Sequence, residues 1–439
     1  MAIGSAGSST HVTTAPGGGQ SYRSAFAMVT TLFFIWGFIT SLNDILIPHL
    51  KAIFDLNYAE VLLIQFVFFV AYAVFGYPSG RIVEHIGYKR MMVIGLLIMA
   101  VGAILFIPAA DMPSFPLFLL ALIFLGAGMA SLQVAANPYV TVLGPSETAS
   151  SRLNLSQAFN SLGTTIGPPL GGFLILKGAE KLVENVHTLP PAALHAYRVQ
   201  QAATVKFPYV VITVVLILLA LVIGFYNFPR IEGATKESGV QPEQQASIWR
   251  YRHVMLGAVA IFVYVGAEVA IGSFLINYFE LKDIAGLNAR DAAYYLPFYW
   301  GGAMIGRFIG SAILQKVKTE KLLTTNAIIA LVLVVVSMLS FGHVALWSIL
   351  AIGLFNSIMF PSIFTLGVAE MGPLTGEASG LLVTAIVGGA IIPEIQGVLA
   401  DHIGLHHAFF IPVLCYIFIA YYGWKGARVI HPEPRLSSR

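Results

Sequence analysis

The stretch from Leu117 to Gly144, LFLLALIFLGAGMASLQVAANPYVTVLG, holds no charged side chain and exceeds the ~20 apolar residues that cross a bilayer as a helix. Within it an amide, Gln133, stands five residues before a proline, Pro138. Comparable runs recur to either side, at 25–50, 59–82, 90–109, 116–143, 153–176 and 207–228, then at 253–279, 291–314, 322–341, 344–368, 379–400 and 407–428. Barrel strands would be half as long with strict alternation, and lipid satisfies no backbone donor or acceptor. The pattern predicts an all-α polytopic membrane protein of twelve transmembrane helices.

Composition excludes a water-soluble globule: 57% of residues are hydrophobic, 10% are charged, and mean hydropathy is +0.81. Residues 1–24 are Gly/Ser/Thr-rich and lack the basic start, apolar stretch and small-residue cleavage site of a secretory signal, so they read as a disordered tail. Cys415 stands alone in the last run, which rules out an internal disulfide and fits a small buried side chain. Placing the N-terminus in the cytoplasm puts 17 of the 24 Lys and Arg inside, so both termini are expected there. The net charge of +3 is then a topology signal, and nothing points to nucleic acid.

The polar segment Ile231 to Arg250 splits the runs six and six, which predicts bundles at 25–228 and 253–428, a cytoplasmic linker at 229–252 and a second tail at 429–439. The halves repeat each other. Gln133-x4-Pro138-x4-Leu143-Gly144 matches Asn356-x4-Pro361-x4-Leu366-Gly367, and Gly163-x4-Pro168-x3-Gly172 matches Gly388-x4-Pro393-x3-Gly397. Two similar bundles suit alternating access around a central site.

The segment Gly80-x3-Glu84-x2-Gly87-Tyr-Lys89-Arg90 resembles the cytoplasmic signature of the major facilitator superfamily, with Glu84 where Asp is usual. Gly80, Glu84 and Arg90 are thereby expected to lock neighbouring helices. SLNDILIPHL (Ser41 to Leu50), AANPYVTVLGP (Ala135 to Pro145), RLNLSQAFNSLG (Arg152 to Gly163), YVGAEVAIGSFLINY (Tyr264 to Tyr278), GRFIG (Gly306 to Gly310) and the outer loop Tyr197 to Tyr209 resemble the family of fucose, galactose, glucose and related hexose symporters. That resemblance implies a role for Asp44 in proton coupling or sugar binding, and places Gln157 and Asn160 along the sugar cavity. Fucose symporters carry glutamine where Glu268 stands, glutamate where Gln133 stands and tyrosine where Phe360 stands. The chain therefore resembles the glucose/galactose or N-acetylglucosamine branches more.

Ionisable groups inside a membrane usually line a cavity or pair. Asp44 shares a helical face with Ser41 and Thr40, and Glu268 lies one turn from Tyr264 with no basic residue within two turns, so both are expected to couple an ion. Glu394, near the outer end of its run, fits a structural or gating role as well as a substrate one. Arg307, near a helix end, fits a snorkelling side chain. A sugar's hydroxyls both donate and accept, so Ser41, Asp44, Gln133, Asn137, Gln157, Asn160, Glu268, Asn356 and Phe360 form the expected binding set. Any one amide taken alone more often bonds helix to helix.

These features predict a monomeric, multi-pass carrier of a bacterial-type inner membrane, symporting a monosaccharide with a proton or sodium by alternating access. No cofactor or resident metal is expected. An exporter on the same fold and a non-transporting sugar sensor stay open. Neither an enzyme's paired nucleophile and base nor a nucleotide-binding loop is found.

Overall fold

Each apolar run closes its amides on itself as a helix, and no strand forms among the described residues. The computed structural model describes residues 19–54, 56, 58–171, 190–229 and 247–430; within these, the side chains at 19–21, 43–49, 51–53, 58–59, 61–62, 171, 191 and 194–195 are not described. The tail at 1–18, most of the expected linker and residues 431–439 therefore lie outside the described residues, as does the end of the expected span 153–176. The chain folds as α1 (Gly19–Phe54), α2 (Tyr58–Ile86), α3 (Tyr88–Asp111), α4 (Phe115–Val142), α5 (Ala149–Gly171), α6 (Pro191–Ala203), α7 (Lys206–Phe225) and α8 (Arg252–Glu280). It continues through α9 (Ala289–Ala293), α10 (Leu296–Ile313), α11 (Thr319–Leu339), α12 (Gly342–Asn356), α13 (Met359–Gly367), α14 (Thr375–Thr384), α15 (Gly388–Ile403), α16 (Leu405–Ala408) and α17 (Phe410–Tyr421).

Ten described segments are long and apolar enough to cross a membrane. The other two expected spans coincide with α5 and α10, whose apolar content is diluted by Ser, Asn and Gln in the first and by Gly, Tyr and Arg307 in the second. These two helices pack on each other. Large apolar side chains such as Leu218, Phe225, Val332 and Leu339 are exposed around the outside, as a lipid-facing surface requires.

Two of the expected spans are broken. Residues 344–368 divide between α12 and α13, and 379–400 between α14 and α15, with a 3-10 turn at Ala385–Val387. For the first, the cause is Pro361, which lacks an N–H and crowds the carbonyl four residues earlier, that of Ser357. The expected outer loop at 197–209 is also helical, occupied by the end of α6 and the start of α7. Pro190 and Pro191 set up α6 at its first turn, where a missing N–H costs nothing.

The sequence repeat has a spatial counterpart. A Cβ on Gly163 (α5) would collide with the carbonyl of Phe34 (α1), and one on its match Gly388 (α15) with that of Phe262 (α8). Each glycine thus permits backbone contact between equivalent helices of the two halves.

Candidate functional site

The second half gathers a closed polar network around Asn356, the last residue of α12 and fully buried. Its Nδ2 donates to the Tyr299 hydroxyl at 3.0 Å, and its Oδ1 accepts from the Tyr416 hydroxyl at 2.8 Å. Tyr264 Oη lies 2.8 Å from the Glu268 carboxylate and 3.2 Å from the Asn356 carbonyl, to both of which its hydroxyl can donate. Tyr299 Oη in turn reaches the Glu268 carbonyl at 3.2 Å. Glu268 thereby joins four other side chains from α8, α10, α12 and α17, of which Tyr264 bonds its carboxylate directly. Leaving one of these three buried hydroxyls unbonded would cost ~1–3 kcal/mol.

The first half repeats the core of this arrangement. Gln133 Nε2 donates to the Tyr72 hydroxyl at 2.9 Å, so in both halves the amide five residues before the proline holds a tyrosine of a neighbouring helix. Both prolines free the carbonyl of the residue after the amide. Ser379 of α14 donates to the Val134 carbonyl at 2.8 Å, and the Arg307 Nε donates to the Ser357 carbonyl at 3.4 Å.

Other expected residues are spread along α1, α4, α5 and α13. Asp44 lies within α1, but its side chain is outside the described residues. Ser41 donates to the Phe38 carbonyl at 2.8 Å and sits against Gly167 of α5. Asn160 donates to the Phe33 carbonyl at 2.9 Å, which also makes it a tie between α5 and α1. Gln157 is buried on α5, while Asn137 is wholly buried with neither side-chain polar atom partnered. Phe360 stacks on Phe364 at 6.1 Å within α13.

The two halves meet closely at one end and part at the other. Gly76 and Gly80 of α2 lie against Gly376 and Gly380 of α14, where a Cβ on Gly380 would come 2.8 Å from both the Gly76 carbonyl oxygen and the Gly80 Cα. Glu84 Oε1 accepts the Glu377 backbone N–H at 3.0 Å, in the first turn of α14, where a carboxylate also meets the positive end of the helix dipole. Tyr77 donates to the Glu377 carboxylate, with Arg81 Nε 3.8 Å away. Arg90 is exposed in the first turn of α3.

A second seal joins α5 to α10. Ser151 and Ser311 each lie within reach of the other's carbonyl, at 2.7 and 3.1 Å, and Asn154 donates to the Arg307 carbonyl at 2.7 Å. The Arg307 guanidinium crosses to the Ser161 hydroxyl. Arg307 is therefore no snorkelling residue: it is held between the halves, because it lies on the side of α10 that packs on α5. At the opposite end, α2 and α15 diverge around a cavity of about 700 Å³. Gln65, Ser273, Asn277, Asp401 and the exposed Glu394 line it; Glu268 and the other described members of the expected binding set are not among its lining residues.

Tyr72, Tyr416 and the glycines of α14 were not singled out from the sequence, and Tyr299 stood there only among aromatics able to stack on sugar. The available signal was position: Tyr and Trp concentrate at membrane interfaces, so tyrosines placed mid-span need a partner.

An all-helical bundle with paired halves, a seal at one end and a cavity of mixed polar and apolar lining at the other is the architecture of a membrane carrier. The model of the Major Facilitator Superfamily matches residues 28–393, and the chain belongs to that family. It is 49% identical to a glucose/galactose transporter of Brucella abortus, covering 93% of this chain and 95% of that one. It is 36% identical to the L-fucose-proton symporter of Escherichia coli over 92% and 93% of the two chains. The crystal structure of FucP, a transporter of the same superfamily caught in the outward conformation, superposes with a TM-score of 0.85 at 35% identity, covering 92% of this chain and 98% of that one. These relatives are transporters, not enzymes.

Proposed function

We propose that this protein is a proton-coupled symporter of a hexose, of the glucose and galactose type, working by alternating access in a bacterial-type inner membrane. The observation that carries the proposal is the Glu268 carboxylate, half-buried in the bundle and held by Tyr264 beside the Asn356 cluster. An acid so placed can take up a proton and release it, and its neighbours offer the amides and hydroxyls that a sugar needs. The names of the relatives support both the sugar and the proton, which narrows the coupling ion from the proton or sodium expected from the sequence. Asp44 and Glu268 are the proposed coupling acids. Ser41, Gln133, Asn137, Gln157, Asn160, Asn356 and Phe360 are the proposed sugar-facing set.

In this reading the seals formed by α2 with α14 and α5 with α10 lie at the cytoplasmic end, both termini are cytoplasmic, and the cavity opens outward. Gly80, Glu84 and Arg90 belong to the first seal and its edge, and Glu394 to the outer mouth. The carrier works as a monomer of two six-helix bundles, 25–228 and 253–428. Proteoliposomes containing the purified protein should accumulate labelled glucose or galactose above equilibrium under an inward proton gradient. Uptake that stops at equilibrium, or that follows only a sodium gradient, contradicts the proposal; binding without flux would favour a sensor.

A further inference from the structure

The cavity between α2, α8 and α15 has a chemistry of its own. Ser273 and Asn277 stand one turn apart on α8, Glu394 and Asp401 two turns apart on α15, and Gln65 adds to the lining from α2. All five lie in segments long and apolar enough to span a membrane, and all five are exposed. Among the described residues none of their side chains makes a hydrogen bond or ion pair. A polar side chain at that depth is tolerated where it faces water or a solute rather than lipid, so these groups are turned toward whatever fills the cavity. The Asn356 network is the opposite case, since its amide and its tyrosines already bond one another.

We infer that this cavity is an outer sugar subsite, separate from the Asn356 cluster, which holds a monosaccharide before it moves deeper, favours a protonated amino sugar over a neutral one and turns away an anionic one. The inference rests on the symport reading above, which sets the side to which the cavity opens. At about 700 Å³ the cavity falls within the ~300–1,000 Å³ of small-molecule sites. Two amides, a hydroxyl and two carboxylates offer donors and acceptors to sugar hydroxyls, and Phe66 and Phe274 offer apolar faces to the ring. Phe274 reaches across from α8 to α15, since a Cβ on Gly397 would meet its ring tip at 3.4 Å. The charge selectivity follows from the acids. No Lys, Arg or His stands among the described residues that line the cavity, so Glu394 and Asp401 draw in a cation and repel an anion.

The test reads occupancy of this cavity in the full-length protein in proteoliposomes. With Cys415 replaced by serine and a cysteine placed at Val398, an exposed apolar lining residue, labelling by a membrane-impermeant maleimide is followed as sugar is added outside. Glucose should slow the labelling. Asn277→Ala and Gln65→Ala should each raise the half-protecting concentration about fivefold, the worth of one neutral hydrogen bond. Asn356→Ala, which loosens the deeper site, should leave that concentration where it is. Glucosamine, protonated at neutral pH, should half-protect at a concentration about fivefold lower than glucose, because charge-assisted hydrogen bonds are roughly twice as strong as neutral ones. Glucuronate should not protect, and Glu394→Gln with Asp401→Asn should remove the advantage of glucosamine. Labelling that ignores glucose would overturn the inference. Protection that is lost with Asn356→Ala yet indifferent to Asn277→Ala and Gln65→Ala would overturn it too, because the sugar would then act from the deeper site. Equal protection by glucosamine and glucuronate would overturn the assigned ligand class. Protection as described in a protein that never concentrates sugar under a proton gradient would strike the symport reading and leave this subsite standing.

Discussion

The two halves share one plan around Gln133 and Asn356 but use it differently. In each, an amide holds a tyrosine and a proline frees the next carbonyl. In the first half the freed carbonyl, that of Val134, is met by Ser379 from the other half, so the motif serves the seal. In the second, the freed carbonyl of Ser357 is met by Arg307, and a carboxylate, Glu268, joins the amide through Tyr264. Duplication supplied two equal frames; one became a joint between the halves and the other acquired an ionisable centre.

That contrast can be broken by substitution. The largest effect belongs to Glu268→Gln: concentrative uptake should vanish while counterflow persists, and concentrative uptake equal to wild type would remove the distinction between the halves. Asn356→Ala comes next, because it removes the acceptor of the Tyr416 hydroxyl and the donor to the Tyr299 hydroxyl at once. A loss of about 2 kcal/mol, roughly thirtyfold in the uptake rate at low sugar, is expected. Gln133→Ala removes one hydrogen bond, leaving the Tyr72 hydroxyl only the Met129 sulfur at 3.9 Å, and should cost about 1 kcal/mol, roughly fivefold in the same assay. A reversed order would mean that the first-half frame carries the site. The smallest effect is that of Ser379→Ala, which removes one hydroxyl from the seal. With Cys415 replaced by serine and a cysteine placed at buried Val83, a membrane-impermeant maleimide should react about threefold faster than with Ser379 intact.

Much of this was legible in the sequence, for stated reasons. Charge-free runs in lipid have only the helix open to them, so the helical class and nearly every span followed from length. The register of Gln133 with Asn356 and of Gly163 with Gly388 announced the duplication, and the contacts of both pairs reproduce it. Glu268 stood out because an acid is rare in such a run. What stayed hidden depends on which faces meet. Arg307 sits in a helix that packs on α5, a fact absent from its own neighbours along the chain. The break at Ser357 needed the weight of Pro361, whereas Pro138 leaves α4 continuous. The glycines at 376 and 380 take their meaning only from Gly76 and Gly80, some three hundred residues earlier.

Sugar-driven proton movement probes the coupling acid most directly. Glucose or galactose added outside vesicles that hold a pH-sensitive dye, with no gradient imposed, should acidify the lumen with the wild-type protein and leave it unchanged with Glu268→Gln. Equal acidification by both proteins would show that the proton travels without Glu268 and would contradict the role assigned to it.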